Sequence, residues 1–380
     1  MDRNVYLDYA AATPIDARVL EAMRPYFSEL FYNPSAIYLE SRKIKKELTV
    51  AREKVAFWLG VKPVEIVFTA GGSEANNLAI KGVMDLYPEA KVLVSSIEHD
   101  SVLEPAKNYK YCMVEVDGDG ILDLSDLEKK IDSQTVLVSV AYANNEIGTI
   151  QPLRRIAALI QSERRERLKR GITLPILFHT DACQAGNYLD LHASRLGLDL
   201  MSLNGGKLYG PKQSGCLFVR TGVKLKPQIE GGGQEYNLRS GTENVAGAIG
   251  FSTALDLAQK EKDQEAIRLL ELRQLYIALL KKQIPGISIN GSLKARLPNN
   301  LNVCFGGQDN ESLLIRLDLK GIMASAGSAC SAGKMPPSHV LSAIGLSTKE
   351  IRSSVRFSLG RGTNITDIER CVATIKALVG

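Results

Sequence analysis

Short β-branched and apolar runs alternate with stretches of helical spacing from about residue 60 to 220. The runs are EIVFTA (65–70), KVLVSS (91–96), YCMVEV (111–116), TVLVSVAY (135–142), PILFHT (175–180), LDLMSL (198–203) and GCLFVR (215–220), and they predict seven strands. Between them, segments such as SDLEKKI and LRRIAALIQ repeat their apolar residues at helical intervals. Strands alternating with helices predict an α/β fold with a mainly parallel sheet covered on both faces. From about Gly247 to Ile284 the pattern is helical, with Leu269, Leu272, Leu275, Tyr276 and Leu279 on one face, until Pro285-Gly286 ends it. NNLNVCF then predicts a strand and SLLIRLDL a helix. The long helical stretch therefore bridges a large domain and a smaller mixed one.

Composition narrows the class. Hydrophobic residues make up 45% and charged residues 23%, the balance of a soluble globular chain, and no apolar run is long enough to span a bilayer. MDRNVYLDYAAATP lacks a basic segment followed by an apolar one, so no secretory signal is expected. The six cysteines are scattered without a C-x-x-C pair, which argues against a disulfide framework or a metal site and for a reducing cytoplasm. A net charge of +5, from 47 basic and 42 acidic residues, gives little general attraction to nucleic acid. The one dense basic patch, 162–170, alternates Glu163 and Glu166 with arginines and reads as the solvated face of a helix end.

The residues just past each strand carry the chemistry, because open α/β sheets bind ligands beyond the carboxyl ends of their strands. After EIVFTA come Gly71-Gly72-Ser73 and a helix start, suited to holding a phosphate. Neither common nucleotide fingerprint is present. His99 lies after KVLVSS, the polar cluster Ala143-Asn144-Asn145-Glu146, suited to hydrogen-bonding a ligand, follows TVLVSVAY, and Asp181 with Gln184 follows PILFHT. Asn204-Gly205-Gly206-Lys207 follows LDLMSL, with glycines leaving room for a bulky group bonded to the lysine amine. A phosphate cup, a stacking imidazole, a carboxylate and a lysine form the inventory of a pyridoxal phosphate site.

A further element lies downstream, where 325–333 is a run of small residues carrying one thiol, Cys330, and reads as a mobile loop with a nucleophile. Cys112, Cys216, Cys304 and Cys371 fall in apolar patterns expected to be core, and Cys183 lies beside the cofactor position. Arg356 is a candidate clamp for a substrate carboxylate, against the plain alternative of a surface ion pair.

The motifs NPSA (33–36), GGSEANNLAIKG (71–82), EHDSVL (98–103), NNEIGT (144–149), HTDACQ (179–184), GGKLYGPK (205–212), GGGQE (231–235), RSGTENVAG (239–247) and SAGSACSAG (325–333) stand in this order along almost the whole chain. In them the sequence resembles the cysteine desulfurases, specifically the group I NifS/IscS-like members of the class V aminotransferase family. The resemblance implies a fold-type I architecture with a large cofactor-binding domain, 15–257, and a small domain of 1–14 and 258–380 carrying the cysteine loop. It implies conversion of L-cysteine to L-alanine with pyridoxal 5'-phosphate, and transfer of the sulfur to Cys330 as a persulfide. Lys207 would bond the cofactor, Asp181 would hold the proton on its ring nitrogen, and His99 would stack on the ring and shuttle protons. Gln184 would meet the ring oxygen, Gly72, Ser73 and Asn204 would lie at the phosphate, and Thr242 would reach the phosphate of a neighbouring subunit in a homodimer. Asn145 and Arg356 would hold the substrate carboxylate. The sulfur would pass to an acceptor protein serving iron–sulfur assembly or tRNA thiolation.

Two motifs depart from the family pattern. The usual S-G-H-K is Asn204-Gly205-Gly206-Lys207 here, which removes an imidazole contact to the phosphate and predicts weaker cofactor retention. The usual N-P-S-S-x-H ends in Tyr38. Competing readings are a selenocysteine lyase, an aminotransferase (opposed by Cys330), a scaffold that kept the fold, and a nucleic-acid binder resting on 162–170 alone.

Overall fold

The structure, a computed structural model, describes residues 4–327 and 337–379. A short strand, β1 (Val5–Tyr6), precedes the seven predicted ones: β2 (Ile66–Thr69), β3 (Lys91–Ser95), β4 (Lys110–Val114), β5 (Thr135–Ser139), β6 (Leu177–Asp181), β7 (Leu200–Asn204) and β8 (Gly215–Val219). These seven form one sheet in the order β2-β8-β7-β6-β5-β3-β4. Its neighbours are parallel except at β8, which is antiparallel to both β2 and β7. The stretch from Asn204 to Gly215 is too short for a helical crossover, so the chain returns beside β7 in the opposite sense.

Side chains alternate strictly across this sheet. Leu93, Val138, Phe178 and Met201 enter the core on one face, while Val92, Val94, Leu137, Leu177 and Leu200 enter the core on the other. The helix Gly72–Met84 buries Ala75, Leu78, Ala79 and Val83 on the second face, and its N-terminus therefore points at the strand ends.

A single helix, Val245–Gln283, runs through 39 residues and is about 58 Å long. Its first third buries Phe251, Ala254 and Leu255 against the sheet, and its second half buries Leu269, Leu272, Tyr276 and Leu280 in a separate core. Leu275 and Leu279, expected on that face, are half-buried at its flank, and Leu280 takes the deeper place. The separate core is closed by β9 (Ile287–Ile289), β10 (Asn300–Phe305) and β12 (Ser354–Ser358), an antiparallel sheet in the order β12-β10-β9. The predicted strand NNLNVCF is β10, and the predicted helix after it spans Asn310–Asp318. β1 pairs in parallel with β11 (Ile322–Met323), which ties the first residues to the last third of the chain.

The basic segment differs from expectation at two arginines. It ends the helix Leu153–Lys169, but Arg167 is 2% exposed and donates to Glu163 Oε1 at 2.9 Å and to the carbonyls of Asp132 (2.6 Å) and Leu174 (3.1 Å). Arg164 binds the carbonyl of Ile176 and the buried carboxylate of Asp199. Both clamp the neighbouring strand ends, leaving Arg165, Lys169 and Arg170 as the exposed cations of the patch. Cys216, Cys304 and Cys371 are buried as expected, whereas Cys112, on the edge strand β4, is half-buried.

Candidate active site

The carboxyl ends of β3, β5, β6 and β7 open into a cavity of about 500 Å³. Its wall includes Ser73, His99, Asn145, Asp181, Gln184, Asn204 and Lys207, together with Gly72 and Arg356. The topology thus gathers into one space residues that the sequence spreads over nearly 300 positions. The far side is built from Asp8, Ala10 and Ala11 and from 324–327.

Lys207 lies on a tight turn, Gly205–Lys207, directly after β7. Its Nζ donates to the carbonyls of Ala10 at 2.6 Å and Ala11 at 2.8 Å. Burial, with the nearby Arg356 guanidinium, pulls the ammonium below the usual lysine range, which makes the amine a readier nucleophile and base.

Asp181 ends β6 and is held from two sides. Asn76 Nδ2 donates to Oδ2 at 2.7 Å and the Cys183 amide donates to Oδ1 at 2.9 Å. The same Asn76 amide donates to Ser101 Oγ at 2.8 Å, and Ser101 Oγ lies 2.8 Å from His99 Nδ1. Because the Ser101 amide also donates to His99 Nδ1, at 3.0 Å, that nitrogen is the acceptor and Nε2 carries the proton of the neutral ring. One buried asparagine therefore joins the carboxylate and the imidazole. Beneath them His179 bridges Ser139 Oγ at 2.8 Å and Ser202 Oγ at 3.0 Å, tying β5, β6 and β7 together just below Asp181. Burial pushes His179 down to about 4, so it is neutral at physiological pH.

Gly72 opens the 72–84 helix, and a Cβ there would sit 2.5 Å from Cys183 Sγ, so only glycine lets the helix start approach the cavity. Ser73 is exposed at that start. Asn204 Oδ1 accepts from the Gly206 amide at 3.0 Å, which turns its Nδ2 to other partners. Gln184 Nε2 donates to the Ala10 carbonyl at 3.0 Å. Cys183 is half-buried in the wall, its thiol pushed well up by burial and by the Asp181 charge, so it is a poor nucleophile.

Arg356, on β12, is 3% exposed, which removes the surface alternative. Nη2 pairs with Asp8 Oδ1 at 2.7 Å and Nη1 donates to the Asn145 carbonyl at 3.1 Å, while Nε has no hydrogen-bond partner among the described residues. The guanidinium is thus a buried cation on the cavity wall, with one carboxylate, that of Asp8, beside it. Thr242 is exposed on its loop and does not line the cavity of its own chain. Cys330 lies outside the described residues. Among the described residues no group of His, Cys, Asp and Glu could hold a metal ion.

Sequence reasoning missed Asn76, Asp8 and the carbonyls of Ala10 and Ala11. Asn76 sits inside an apolar helix pattern, where the only signal was a polar residue on a buried face.

The family model described as aminotransferase class-V matches residues 5–371. The chain belongs to this family. Within it the chain falls with the IscS/NifS-like cysteine desulfurases. A cysteine desulfurase IscS of Dictyoglomus turgidum is 42% identical over 386 residues, spanning 100% of this chain and 95% of that one. A cysteine desulfurase IscS of Methanosarcina thermophila is 40% identical and spans 100% and 92%. Among solved structures, a NifS-like protein superposes with a TM-score of 0.90 at 33% identity over 99% of both chains. SspA in complex with cysteine superposes at 0.80 with 35% identity, over 93% of this chain and 98% of that one. The seven-stranded sheet is thus part of a fold shared with these proteins.

Proposed function

We propose that this class-V protein is a cysteine desulfurase, taking sulfur from L-cysteine onto Cys330 and releasing L-alanine. The observation that carries the reading is the cavity in which Lys207, Asp181 and His99 face Arg356. The donor set fits pyridoxal 5'-phosphate: a depressed amine, a carboxylate held in place by two donors, and a helix start cleared by Gly72. Lys207 would hold its aldehyde end, Asp181 its ring nitrogen, Gln184 its ring oxygen, and Ser73, Gly72 and Asn204 its phosphate. When bound, that group supplies an electron sink for charge developing at the substrate's Cα.

The chain's own residues do the rest. Arg356 and the Asn145 side chain hold the L-cysteine carboxylate. Lys207, freed as an amine, takes the Cα proton and returns it. Asp181 keeps a proton on the pyridine nitrogen, and His99 Nε2 holds a proton at the face of the site. The Cys330 thiolate attacks the substrate sulfur, so that an S–S bond forms as the Cβ–S bond breaks. The bond electrons stay on Cβ, which is protonated to the methyl group of alanine. The persulfide then passes to an acceptor protein for iron–sulfur assembly or tRNA thiolation.

We further infer a homodimer in which Thr242 reaches the partner's phosphate site, since it is exposed and outside its own cavity. Division into 15–257 against 1–14 and 258–380 is supported by the separate hydrophobic cores that the long helix joins. No helix among the described residues is long and apolar enough to cross a membrane, and a reducing cytoplasm suits the free cysteines.

The test is alanine formed from L-cysteine, with excess pyridoxal phosphate and a reductant, for the wild type and Cys330→Ala. Alanine from the wild type alone is expected. A cofactor-saturated wild type that makes none overturns the reading in favour of a scaffold that kept the fold.

A further inference from the structure

Asn76 commits both protons of its amide to the cavity wall and leaves its own oxygen with nothing. The residue is 0% exposed; Nδ2 donates to Asp181 Oδ2 at 2.7 Å and to Ser101 Oγ at 2.8 Å, while Oδ1 has no partner among the described residues. Buried amide oxygens are ordinarily satisfied, so something holds this amide in one sense. Asp181 does so. Its other oxygen, Oδ1, already accepts from the Cys183 amide at 2.9 Å, and turning the Asn76 amide over would set acceptor against acceptor at Oδ2.

The next link is a hydroxyl with a single proton to give. Ser101 Oγ, accepting from Asn76, lies 2.8 Å from His99 Nδ1. Accepting on the Asn76 side leaves its O–H to donate to His99. Nδ1 then has two donors from one residue, the Ser101 hydroxyl and the Ser101 amide at 3.0 Å, and by the second His99 also caps the helix Asp100–Ala106. A single bond lets the ring turn about it; the hydroxyl fixes it from a second direction. The proton is left on Nε2, the ring nitrogen that neither bond touches. Were Asn76 to turn over, its oxygen would take the Ser101 proton and His99 would lose that donor. Asp181, Asn76, Ser101 and His99 all line the cavity, so the chain runs along the wall itself.

We propose that Ser101 is a positioning residue for His99, its hydroxyl passing to the imidazole the orientation that Asp181 imposes on Asn76. The effect on alanine formation rests on the desulfurase reading; the relay itself does not. In this scheme Ser101 touches neither L-cysteine nor the cofactor and acts through the ring.

The test labels the four histidines of the full chain with 15N and follows His99 Nδ1 by NMR without added cofactor, its signal assigned with His99→Gln. Spectra are taken at about pH 8.5, where an ordinary imidazole is neutral. Asp181→Asn puts an amide where the carboxylate stood and frees Asn76 to turn, so it should move the Nδ1 signal toward that of Ser101→Ala. Adding Asp181→Asn to Ser101→Ala should move it no further, and Ser101→Thr, which keeps the hydroxyl, should resemble the wild type. With saturating pyridoxal phosphate, Ser101→Ala should slow alanine formation about tenfold and leave the half-saturating L-cysteine concentration within about twofold. Ser101→Thr should recover most of that rate. An Asp181→Asn shift of the same size with and without the hydroxyl, no shift at all, or a wild-type rate in Ser101→Ala overturns the proposal. So do equal losses in Ala and Thr accompanied by weakened cysteine binding, which mark a collapse of the wall. A wild type that makes no alanine overturns the desulfurase reading instead, and the nitrogen shifts still decide the relay.

Discussion

Replacing Glu98 by Gln asks whether the strand end beside His99 holds a neutral acid. Glu98 is 0% exposed; its Oε1 accepts from the Ala141 amide at 2.7 Å and its Oε2 has no partner among the described residues. Burial, reinforced by the charge of Asp181, pushes its pKa well above 4.5, with the Ala141 bond opposing. In the unfolded chain the carboxyl loses its proton near 4.5, while the folded protein keeps it to higher pH. The contribution to stability is therefore complete below about 4.5 and falls by about 1.4 kcal/mol per pH unit until the folded value is passed. Gln has the same shape, keeps an acceptor for Ala141 and does not titrate. Relative to wild type, Glu98→Gln should thus gain as much as about 2.7 kcal/mol between pH 5 and pH 7. For a chain of this length that corresponds to a shift of about 3 °C in Tm. Thermal unfolding of both proteins without cofactor at pH 5, 6 and 7 gives the difference directly. A difference that does not change with pH, or one that moves toward wild type as pH rises, refutes the argument and means the carboxylate is ionised in place.

Other consequences are as direct. Asn76→Ala removes a charge-assisted donor from Asp181, worth about 1.5–3 kcal/mol, and should weaken pyridoxal phosphate binding about 10- to 100-fold in a fluorescence titration. Gly206→His should be tolerated, since a Cβ there meets nothing closer than Asn204 Oδ1 at 3.5 Å, and it should tighten the cofactor about tenfold or more; unchanged affinity would remove the imidazole argument. Arg167→Ala should cost about 3 kcal/mol of stability, because it leaves the carbonyls of Asp132, Leu174 and Pro175 without their donor. Urea unfolding at fixed pH measures that cost.

The strands were legible because their apolar runs are bounded by turn residues, and the chemistry because it sits directly after those runs. His99, Asp181 and Lys207 could be placed together from the rule that α/β sheets bind at strand ends, with no need for the register. The Arg167 clamp was not legible. An arginine just after Glu166 and four residues after Glu163 reads as solvated, and only the approach of the carbonyls at 132, 174 and 175 makes it a core residue. Asn76 was hidden for a related reason: its partners lie 25 and 105 positions away, a distance no local pattern crosses. The reversed direction of β8 became visible only with the pairing of β7 and β8.

The first residues have a consequence for how the molecule comes into being. Asp8 meets Arg356 across 348 positions, and the carbonyls of Ala10 and Ala11 cap the Lys207 amine. At roughly 5–20 residues per second, a ribosome finishes Arg356 some 17 to 70 seconds after Asp8. The seven-stranded sheet is complete at Val219, by which point Ala10 and Ala11 have Lys207 to meet, but β12, which carries the partner of Asp8, is still unmade. During that interval the nascent chain has Lys207 and its two capping carbonyls but not the guanidinium that pairs with Asp8. A truncated product would carry the lysine without the arginine proposed to hold the substrate carboxylate.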